Sequence, residues 1–428
     1  MKYNPINKNL FISNRKNLAK KLKKNSLAVF HANDLMPKSG DGFFPFKQHP
    51  DLYYLSGIDQ EMTVLLICPD FPIKEYREVL FLRKTNEHIA VWEGHKYTMP
   101  EAEAASGIKT IKWVEDFNSV FSLLANHSEN IYVDINENDR YASEVEDRNS
   151  RFANAYKLKY PGHNFERSGQ IMADLRRVKS KHEVEQIQTA CNITEKGLRR
   201  ILRMIKPGVN ECEIEAEITH EFLINRATGH AYSPIIASGP NACVLHYVDN
   251  NLKCNAGDVI LMDFGAEYAN YAADLTRCVP VSGKFTKRQK DVYNAVHKVM
   301  KASIKMLKPG NTIDKYHKAV GELMTKQLVD LKLLKMSEVK KQDAKSPLYK
   351  KYFMHGTSHF LGLDVHDVGD RFKPMQVGNV FTCEPGIYIP EENLGIRLEN
   401  DILITAKGQK DLMKNIPINA DEIEDLMN

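Results

Sequence analysis

Four acidic residues stand inside apolar stretches whose composition predicts β-strands. Asp263 interrupts VILMDFGA and Asp274 interrupts YAADLTR, while Glu384 and Glu399 lie in VFTCEPGIYI and GIRLENDILI. Asp and Glu are depleted in strands, and a carboxylate among apolar residues needs a partner that offsets the cost of removing it from water. The fold must therefore supply these carboxylates with a cation or a shared proton.

The first two carboxylates are predicted to meet across one hairpin. If the hairpin is centred between Tyr268 and Ala269, Asp263 and Asp274 fall directly opposite each other. Directly opposed side chains have Cβ atoms about 4.5 to 5.5 Å apart, and two bare carboxylates would repel at that distance. On its own, this hairpin, like the second, is also consistent with a protonated pair or a misplaced loop.

A weak internal repeat places the second pair in the same context. Glu384 and Glu399 are symmetric about the turn at residues 390–393. The sequence MIKPG at 204–208 recurs as MLKPG at 306–310, and a long amphipathic helix pattern precedes each copy. A helix stop at Pro-Gly is common, but the matching flanks favour two related halves. We expect one sheet built by both halves, with helices packed on one side.

The N-terminal part of the chain has a different character. Between residues 26 and 135, polar or helix-like stretches alternate with short β-rich runs, namely SLAVFHA, TVLLICP, EVLFLRK and NIYVDI. This alternation predicts an α/β domain. The pattern changes around residues 161–180, where a long helix pattern begins. We therefore expect an N-terminal domain at residues 1–175 and a second domain at residues 176–428.

Composition excludes several classes of protein. The 428 residues are 43% hydrophobic and 27% charged, with a net charge of +4, which is too small for this length to indicate nucleic acid or an anionic membrane as a partner. The seven cysteines are odd in number and contain no CxxC pair, and no apolar run near 20 residues occurs. We expect a cytoplasmic protein with reduced thiols.

The segment between the hairpins, KYFMHGTSHFLGLDVHDVGD, is rich in histidine and glycine. His355, His359 and His366 lie within twelve residues, and His246 in ACVLHYVDNN is a further candidate. A lone histidine is more often structural than a ligand, whereas three with glycines that let the backbone approach closely indicate a site. Four carboxylates with one or two imidazoles are more ligands than a single tetrahedral zinc site uses. They favour two divalent ions, Mn²⁺ above thiolate-preferring metals, and hydrolysis by a bridging hydroxide.

Together, MHGTSHFLGLDVHDVG, MDFGAEYANYAADLTR, CEPGIYI and GIRLEND resemble aminopeptidase P, the Xaa-Pro aminopeptidases of the pita-bread metallopeptidase group. The resemblance covers the second domain in order and extends to the first through DLYYLSG and VWEGHKY. It implies a creatinase-like α/β domain followed by a pita-bread (α+β) catalytic domain with a pseudo-twofold internal repeat. It also implies hydrolysis of N-terminal Xaa-Pro bonds in peptides, and a homo-oligomer, dimer or larger.

The resemblance assigns metal ligands to five residues. Asp263 would hold one ion, His359 and Glu384 the other, and Asp274 and Glu399 would bridge both.

By the same resemblance, Glu384 would also act as general base for the bridging water. His246 and His366 would contact the substrate carbonyl and help to protonate the leaving nitrogen. A proline pocket would be lined by His355, Tyr388 and Arg397. For Tyr388 and Arg397, the alternatives are core packing and a surface ion pair.

Three alternative functions share parts of this pattern. Prolidase has the same fold, metals and proline preference but cleaves only dipeptides, and sequence spacing does not show what blocks the far side of the pocket. Methionine aminopeptidase shares the five ligands but usually lacks so large an N-terminal domain. A catalytically silent peptide- or protein-binding relative would lack part of the ligand set, which is complete here. The form HGTSHFLGLDVHDVG favours aminopeptidase P.

Overall fold

The computed structural model describes residues 3–138 and 143–428. Within it the chain forms two compact units. One comprises residues 5–176, and the other comprises residues 177–428 together with the N-terminal Tyr3 and Asn4.

The first unit combines helices and a mixed sheet. Its helices are α1 Asn9–Ala19, α2 Pro50–Ser56, α3 Glu87–Glu93, α4 Met99–Ser106, α5 Phe117–Ala125, α6 Arg148–Lys159 and α7 Gly169–Arg176. Its strands are β1 Ser26–His31, β2 Pro37–Ser39, β3 Gly42–Phe43, β4 Val64–Ile67, β5 Glu78–Leu82, β6 Thr110–Trp113, β7 Asn130–Val133 and β8 Asn164–Arg167. Strands β2 and β3 form a separate small hairpin.

The six-stranded sheet has the order β6-β5-β4-β1-β7-β8. Strand β1 is antiparallel to β4 and parallel to β7. The four β-rich runs of the sequence form β1, β4, β5 and β7, which confirms the predicted α/β domain. Their apolar side chains pack with α5 and α6 in one core. The outer strands β6 and β8 were not predicted, because each is only four residues long and neither TIKW nor NFER forms an apolar run.

The second unit contains the two related halves. Its helices are α8 Lys181–Ile201, α9 Glu211–Ile224, α10 Lys287–Ile304, α11 Ile313–Asp330, α12 Met336–Val339 and α13 Ala420–Met427. Its strands are β9 Gly229–His230, β10 Ile235–Ser238, β11 Val259–Phe264, β12 Ala266–Tyr268, β13 Tyr271–Ala272, β14 Leu275–Pro280, β15 Val380–Cys383, β16 Gly386–Ile389, β17 Leu394–Arg397, β18 Asn400–Thr405 and β19 Gly408–Asp411.

Each half begins with a helix that starts at a capping box and ends ahead of the Pro-Gly repeat. Ser180 caps α8 and Thr286 caps α10. Gly208 and Gly310 then adopt left-handed φ values of 95° and 86°, which glycine accommodates without steric cost. A second helix, α9 or α11, follows before the strands. The order of elements predicted from the repeat therefore occurs twice.

The expected single sheet is not present among the described residues. The hydrogen-bonded ladders are β10-β11-β14, β13-β12-β9, β15-β18-β19 and β16-β17. One strand run breaks at Gly265, where an added Cβ would lie 1.7 Å from the Ala273 carbonyl oxygen. The other breaks at Pro385, which has no N–H for a ladder. The halves meet where the Glu399 N–H donates to the Thr276 carbonyl oxygen, at 3.1 Å.

The register of the first hairpin differs from the prediction. Its turn is Ala269–Asn270, both in the left-handed region with φ of 51° and 65°, as two-residue hairpin turns of the primed type require. The centre therefore lies one residue later than expected, and Asp263 pairs with Thr276. Asp263 and Asp274 share a face of the hairpin, but they are diagonal neighbours and not directly opposed residues.

The second hairpin has the predicted register. Cys383 pairs with Asn400 and Gly386 pairs with Arg397, so Glu384 falls opposite a residue of the intervening segment, Glu399.

Candidate metal centre

The two hairpins and the histidine-rich segment bring their polar side chains to one place. Asp274, His359 and Glu399 each offer one ligand atom, and these atoms all lie within 4.8 Å of one another. His359 Nε2 is 3.4 Å from Asp274 Oδ2 and 3.7 Å from Glu384 Oε1. The position of the strand breaks explains this convergence, because Asp274 and Glu384 lie in the gaps between consecutive strands.

Asp263 joins this cluster through hydrogen bonds. The Tyr232 hydroxyl oxygen lies 2.5 Å from Asp263 Oδ1 and 2.5 Å from Asp274 Oδ1. Arg397 Nη2 donates to Asp263 Oδ2 at 2.5 Å. One hydroxyl proton can serve only one of two carboxylate oxygens. The second short contact therefore requires another proton or a neighbouring cation.

Burial and mutual repulsion perturb the carboxyl groups. Burial, and then the charge of Asp263, raises the pKa of Asp274 well above its usual range. Burial, and then the charge of Asp274, does the same to the pKa of Glu399. Burial raises the pKa of Glu384 to about 7, although the neighbouring His359 opposes the shift. A bound cation would oppose these shifts, since it favours the charged form of each carboxyl group.

The donor set fits divalent ions. Carboxylate oxygens with one imidazole nitrogen suit hard or borderline divalent cations, and the described residues around them supply no thiolate ligand. The orientation of the imidazole also fits. His359 Nδ1 lies 3.0 Å from the Phe360 carbonyl oxygen. Because a carbonyl can only accept, Nδ1 carries the ring proton and Nε2 keeps the lone pair that a metal needs.

A second chain of contacts lies beside the carboxylates. Arg397 Nη1 donates to the Tyr388 hydroxyl oxygen at 2.9 Å, and His355 Nε2 is 2.8 Å from the same oxygen. Both Tyr388 and Arg397 are buried, so the surface ion pair considered for Arg397 is wrong. Burial, and then the charge of Arg397, lowers the pKa of His355 to about 3. His355 is therefore neutral at physiological pH.

The other two histidines differ in their surroundings. The His366 ring packs edge-to-face on His359, with centroids 4.5 Å apart and an interplanar angle of 88°. His246 is exposed, in the segment after the 3-10 turn at Gly239–Cys243. It is close enough to His355 for its charge to contribute to lowering the pKa of that residue.

Two residues of the cluster were not found from the sequence. Thr276 donates to Glu399 Oε2 at 2.7 Å and accepts from Arg397 Nε at 3.1 Å. Its position two residues after Asp274 on an extended segment, and so on the same face, is a signal that could have identified it. Tyr232 lies in the loop between β9 and β10, where the sequence gives no indication of its role.

Comparison with known proteins places this cluster in a family. A model described as metallopeptidase family M24 matches residues 185–406. A second model, described as aminopeptidase P, N-terminal domain, matches residues 11–132.

The chain belongs to metallopeptidase family M24. The chain is 31% identical to an Xaa-Pro aminopeptidase of Haemophilus influenzae, covering 98% of this chain and 97% of that protein. It is 32% identical to an Xaa-Pro aminopeptidase of Escherichia coli, covering 99% of this chain and 98% of that protein.

Solved structures described as aminopeptidase P have the same architecture. A putative aminopeptidase P from Bacillus anthracis superposes with a TM-score of 0.91 at 31% identity, covering 98% of both chains. Aminopeptidase P from E. coli with the inhibitor Pro-Leu gives a TM-score of 0.88 at 30% identity, covering 99% of both. The two-domain fold with a pita-bread domain is confirmed. None of the described helices combines the length and apolarity that crossing a membrane needs.

Proposed function

We propose that this M24 metallopeptidase is an aminopeptidase that hydrolyses the N-terminal Xaa-Pro bond of peptides. The observation that carries the proposal is the convergence of Asp274, His359 and Glu399, with Glu384 and Asp263 beside them, at the junction of the two hairpins. The relatives named Xaa-Pro aminopeptidase, which align over nearly the whole chain, support the substrate class.

The proposed cofactors are two divalent metal ions, with Mn²⁺ favoured by the oxygen-rich donor set. When bound, such ions polarise the scissile carbonyl and lower the pKa of a water molecule to near neutrality. The proposed ligands are Asp263, Asp274, His359, Glu384 and Glu399.

Glu384 is the proposed general base. With a cation bound, its carboxyl group is held in the charged form, which can accept a proton. Its Oε2 atom is 3.5 Å from His355 Nδ1, and Thr382 Oγ1 is 3.5 Å from Oε1. Glu384 would accept a proton from the attacking water between these neighbours.

His366 and His246 are the proposed contacts to the scissile carbonyl. The nitrogen released from an Xaa-Pro bond is that of the proline ring, and it must gain a proton as it leaves. His366, whose ring packs on that of His359, would donate a hydrogen bond as charge develops on the carbonyl oxygen. His246, on an exposed segment, would contact the same carbonyl.

His355, Tyr388 and Arg397 are the proposed lining of the proline pocket. An Xaa-Pro bond has no N–H, so recognition must depend on the shape of the ring and not on a backbone donor. Arg397 donates to the Tyr388 hydroxyl oxygen, and the hydroxyl donates to His355 Nε2, because His355 Nδ1 carries the ring proton that faces the Gly356 carbonyl oxygen at 2.8 Å. These bonds fix the three side chains relative to one another. A pocket with fixed walls can select a rigid ring by shape.

Several broader assignments are part of the proposal. Residues 1–175 would form the N-terminal domain and residues 176–428 the catalytic domain. The seven free thiols support a cytoplasmic location, and the net charge of +4 supports peptides as partners over nucleic acid or membranes. A homo-oligomer, dimer or larger, is expected by analogy with the family, and light scattering of the purified chain would measure it.

The decisive experiment compares three peptides on chelator-treated protein with and without added Mn²⁺. The substrates are an Xaa-Pro-Xaa tripeptide, the Xaa-Pro dipeptide and an Xaa-Ala-Xaa control. We expect Mn²⁺-dependent release of the first residue from the proline tripeptide and little from the alanine control. Turnover of the dipeptide alone would identify a prolidase instead. Silence on all three with bound metal would overturn the enzymatic proposal.

A further inference from the structure

An ion pair lies buried outside the ten proposed site residues. Lys179 Nζ is 2.7 Å from Asp367 Oδ2, and each side chain is 1% exposed. Removing two charges from water costs free energy that their attraction need not repay, so an apolar pair of the same volume is often as stable. Stability alone therefore does not explain why a buried ion pair occupies this position. Lys179 stands just before α8, and its own N–H donates to the Gly378 carbonyl oxygen at 2.8 Å.

Asp367 is connected to the candidate ligand His359 through one carbonyl group. The Asp367 N–H donates to the Phe360 carbonyl oxygen at 3.0 Å. The same oxygen is 3.0 Å from His359 Nδ1. This carbonyl therefore fixes both the tautomer and the direction of the imidazole, while Asp367 fixes the carbonyl. Such outer contacts are known to tune the ligands that they hold.

The segment closed by this hydrogen bond, residues 360–367, also carries His366. Its ring packs at 4.5 Å on the His359 ring. Gly362 lies within the segment, where an added Cβ would be 2.2 Å from Asp367 Oδ2 and 2.8 Å from Lys179 Nζ. The backbone at Gly362 thus packs directly on the ion pair. Its carbonyl oxygen accepts from the Ala272 N–H at 2.8 Å, two residues before Asp274.

We propose that the Lys179–Asp367 ion pair is a positioning device that sets the segment 360–367, and with it the imidazoles of His359 and His366. The inference rests on the proposed function, because it assigns the pair a purpose in holding a ligand and a substrate contact. We assign neither residue a contact with substrate or metal. Their effect passes through the Phe360 carbonyl and the backbone of the closed segment.

The test replaces both charges at once, because a single change would leave one charge buried and unpaired. The double variant Lys179→Met/Asp367→Leu keeps the volume apolar and removes that penalty. The control is Lys290→Met/Glu424→Leu, which removes a 2.9 Å ion pair between α10 and α13. Thermal unfolding, Mn²⁺ titration of the metal-free protein, hydrogen exchange of residues 360–367, and kcat and KM for the tripeptide are measured on each.

We expect the double variant to remain folded while its Mn²⁺ affinity and its kcat each fall about 10- to 100-fold. Exchange in residues 360–367 should be faster, and KM should change less than kcat. The control should change none of these except thermal unfolding. The positioning role would be overturned by a folded double variant that keeps the Mn²⁺ affinity of the wild type and its hydrogen exchange in residues 360–367.

A second variant keeps the test decisive if the double variant does not fold. Lys179→Arg retains the positive charge but moves it, and we expect faster exchange in residues 360–367 together with weaker Mn²⁺ binding. Unchanged exchange and affinity would refute the inference. A wild-type protein that cleaves none of the peptides would refute the proposed function alone, because Mn²⁺ titration and hydrogen exchange measure positioning without turnover.

Discussion

Replacing Thr276 by Val tests whether the surroundings of the carboxylates tune metal binding. The two side chains have nearly the same shape, so the change removes one hydroxyl and leaves the packing in place. That hydroxyl donates to Glu399 Oε2 at 2.7 Å and accepts from Arg397 Nε at 3.1 Å. Thr276 is fully buried, so water cannot replace either bond.

The magnitude follows from the two lost hydrogen bonds. A bond to a charged group contributes about 1.5 to 3 kcal/mol, and a buried donor left unsatisfied costs about 1 to 3 kcal/mol. Some relaxation is expected, so the metal-free protein should lose about 3 kcal/mol of unfolding free energy. Glu399 would also lose a contact that orients it as a ligand. Outer contacts of this kind typically change metal affinity about 10- to 100-fold.

The assay combines denaturant unfolding with Mn²⁺ titration. Thr194→Val is the matched control, because Thr194 is equally buried but bonds only to backbone groups. Its hydroxyl donates to the Ala190 carbonyl oxygen at 2.9 Å and accepts from the Ala266 N–H at 3.0 Å. We expect both variants to lose stability and only Thr276→Val to lose Mn²⁺ affinity. Equal affinity in the two variants would refute the reasoning.

Three further predictions concern separate parts of the molecule. Asp274→Asn should abolish peptidase activity. It should also abolish the stabilisation of about 2.7 kcal/mol that Mn²⁺ at 100 times its Kd gives the wild-type protein. Normal turnover with bound metal would contradict the role of Asp274 as a ligand. Burial lowers the pKa of His31 to about 3, whereas the unfolded chain binds that proton near pH 6.5. The free energy of unfolding of residues 5–176 should therefore fall by about 1.4 kcal/mol for each pH unit below about 6.5. The fluorescence of the chain's two tryptophans, both in this unit, reports its unfolding. If His31→Gln leaves the dependence of unfolding free energy on pH unchanged, His31 is not its source. Gly265→Ala should lower the free energy of unfolding by about 3 kcal/mol or more, because the new Cβ clashes with the Ala273 carbonyl oxygen. Thermal unfolding measures this against the control Gly162→Ala, which adds a Cβ in open space.

Local sequence signals account for much of the fold. Apolar runs predicted the strands β1, β4, β5 and β7, and the repeated Pro-Gly stop predicted two related halves. The second hairpin has its predicted register because the turn around Asn393 matched the symmetry of the flanking runs. The first was misplaced by one residue, since the left-handed pair Ala269–Asn270 contains no glycine to mark it.

The parts of the candidate site that could be predicted are those with unusual residue types. Carboxylates in apolar strands and clustered histidines are unusual, and their spacing along the chain indicated a shared location. Contacts that depend on three-dimensional packing gave no such signal. Tyr232 comes from a loop remote in sequence, and the Lys179–Asp367 pair joins residues far apart in the chain. The separate ladders also depend on a close approach of the Ala273 carbonyl to Gly265, which only the folded backbone shows.

Anomalous diffraction at the manganese edge, from crystals grown with Mn²⁺, tests the central proposal most directly. We expect two peaks about 3.5 to 4 Å apart, enclosed by Asp274, His359 and Glu399 with Asp263 and Glu384 at either side. Absence of peaks among these side chains at saturating Mn²⁺, or peaks only elsewhere on the protein, would contradict it.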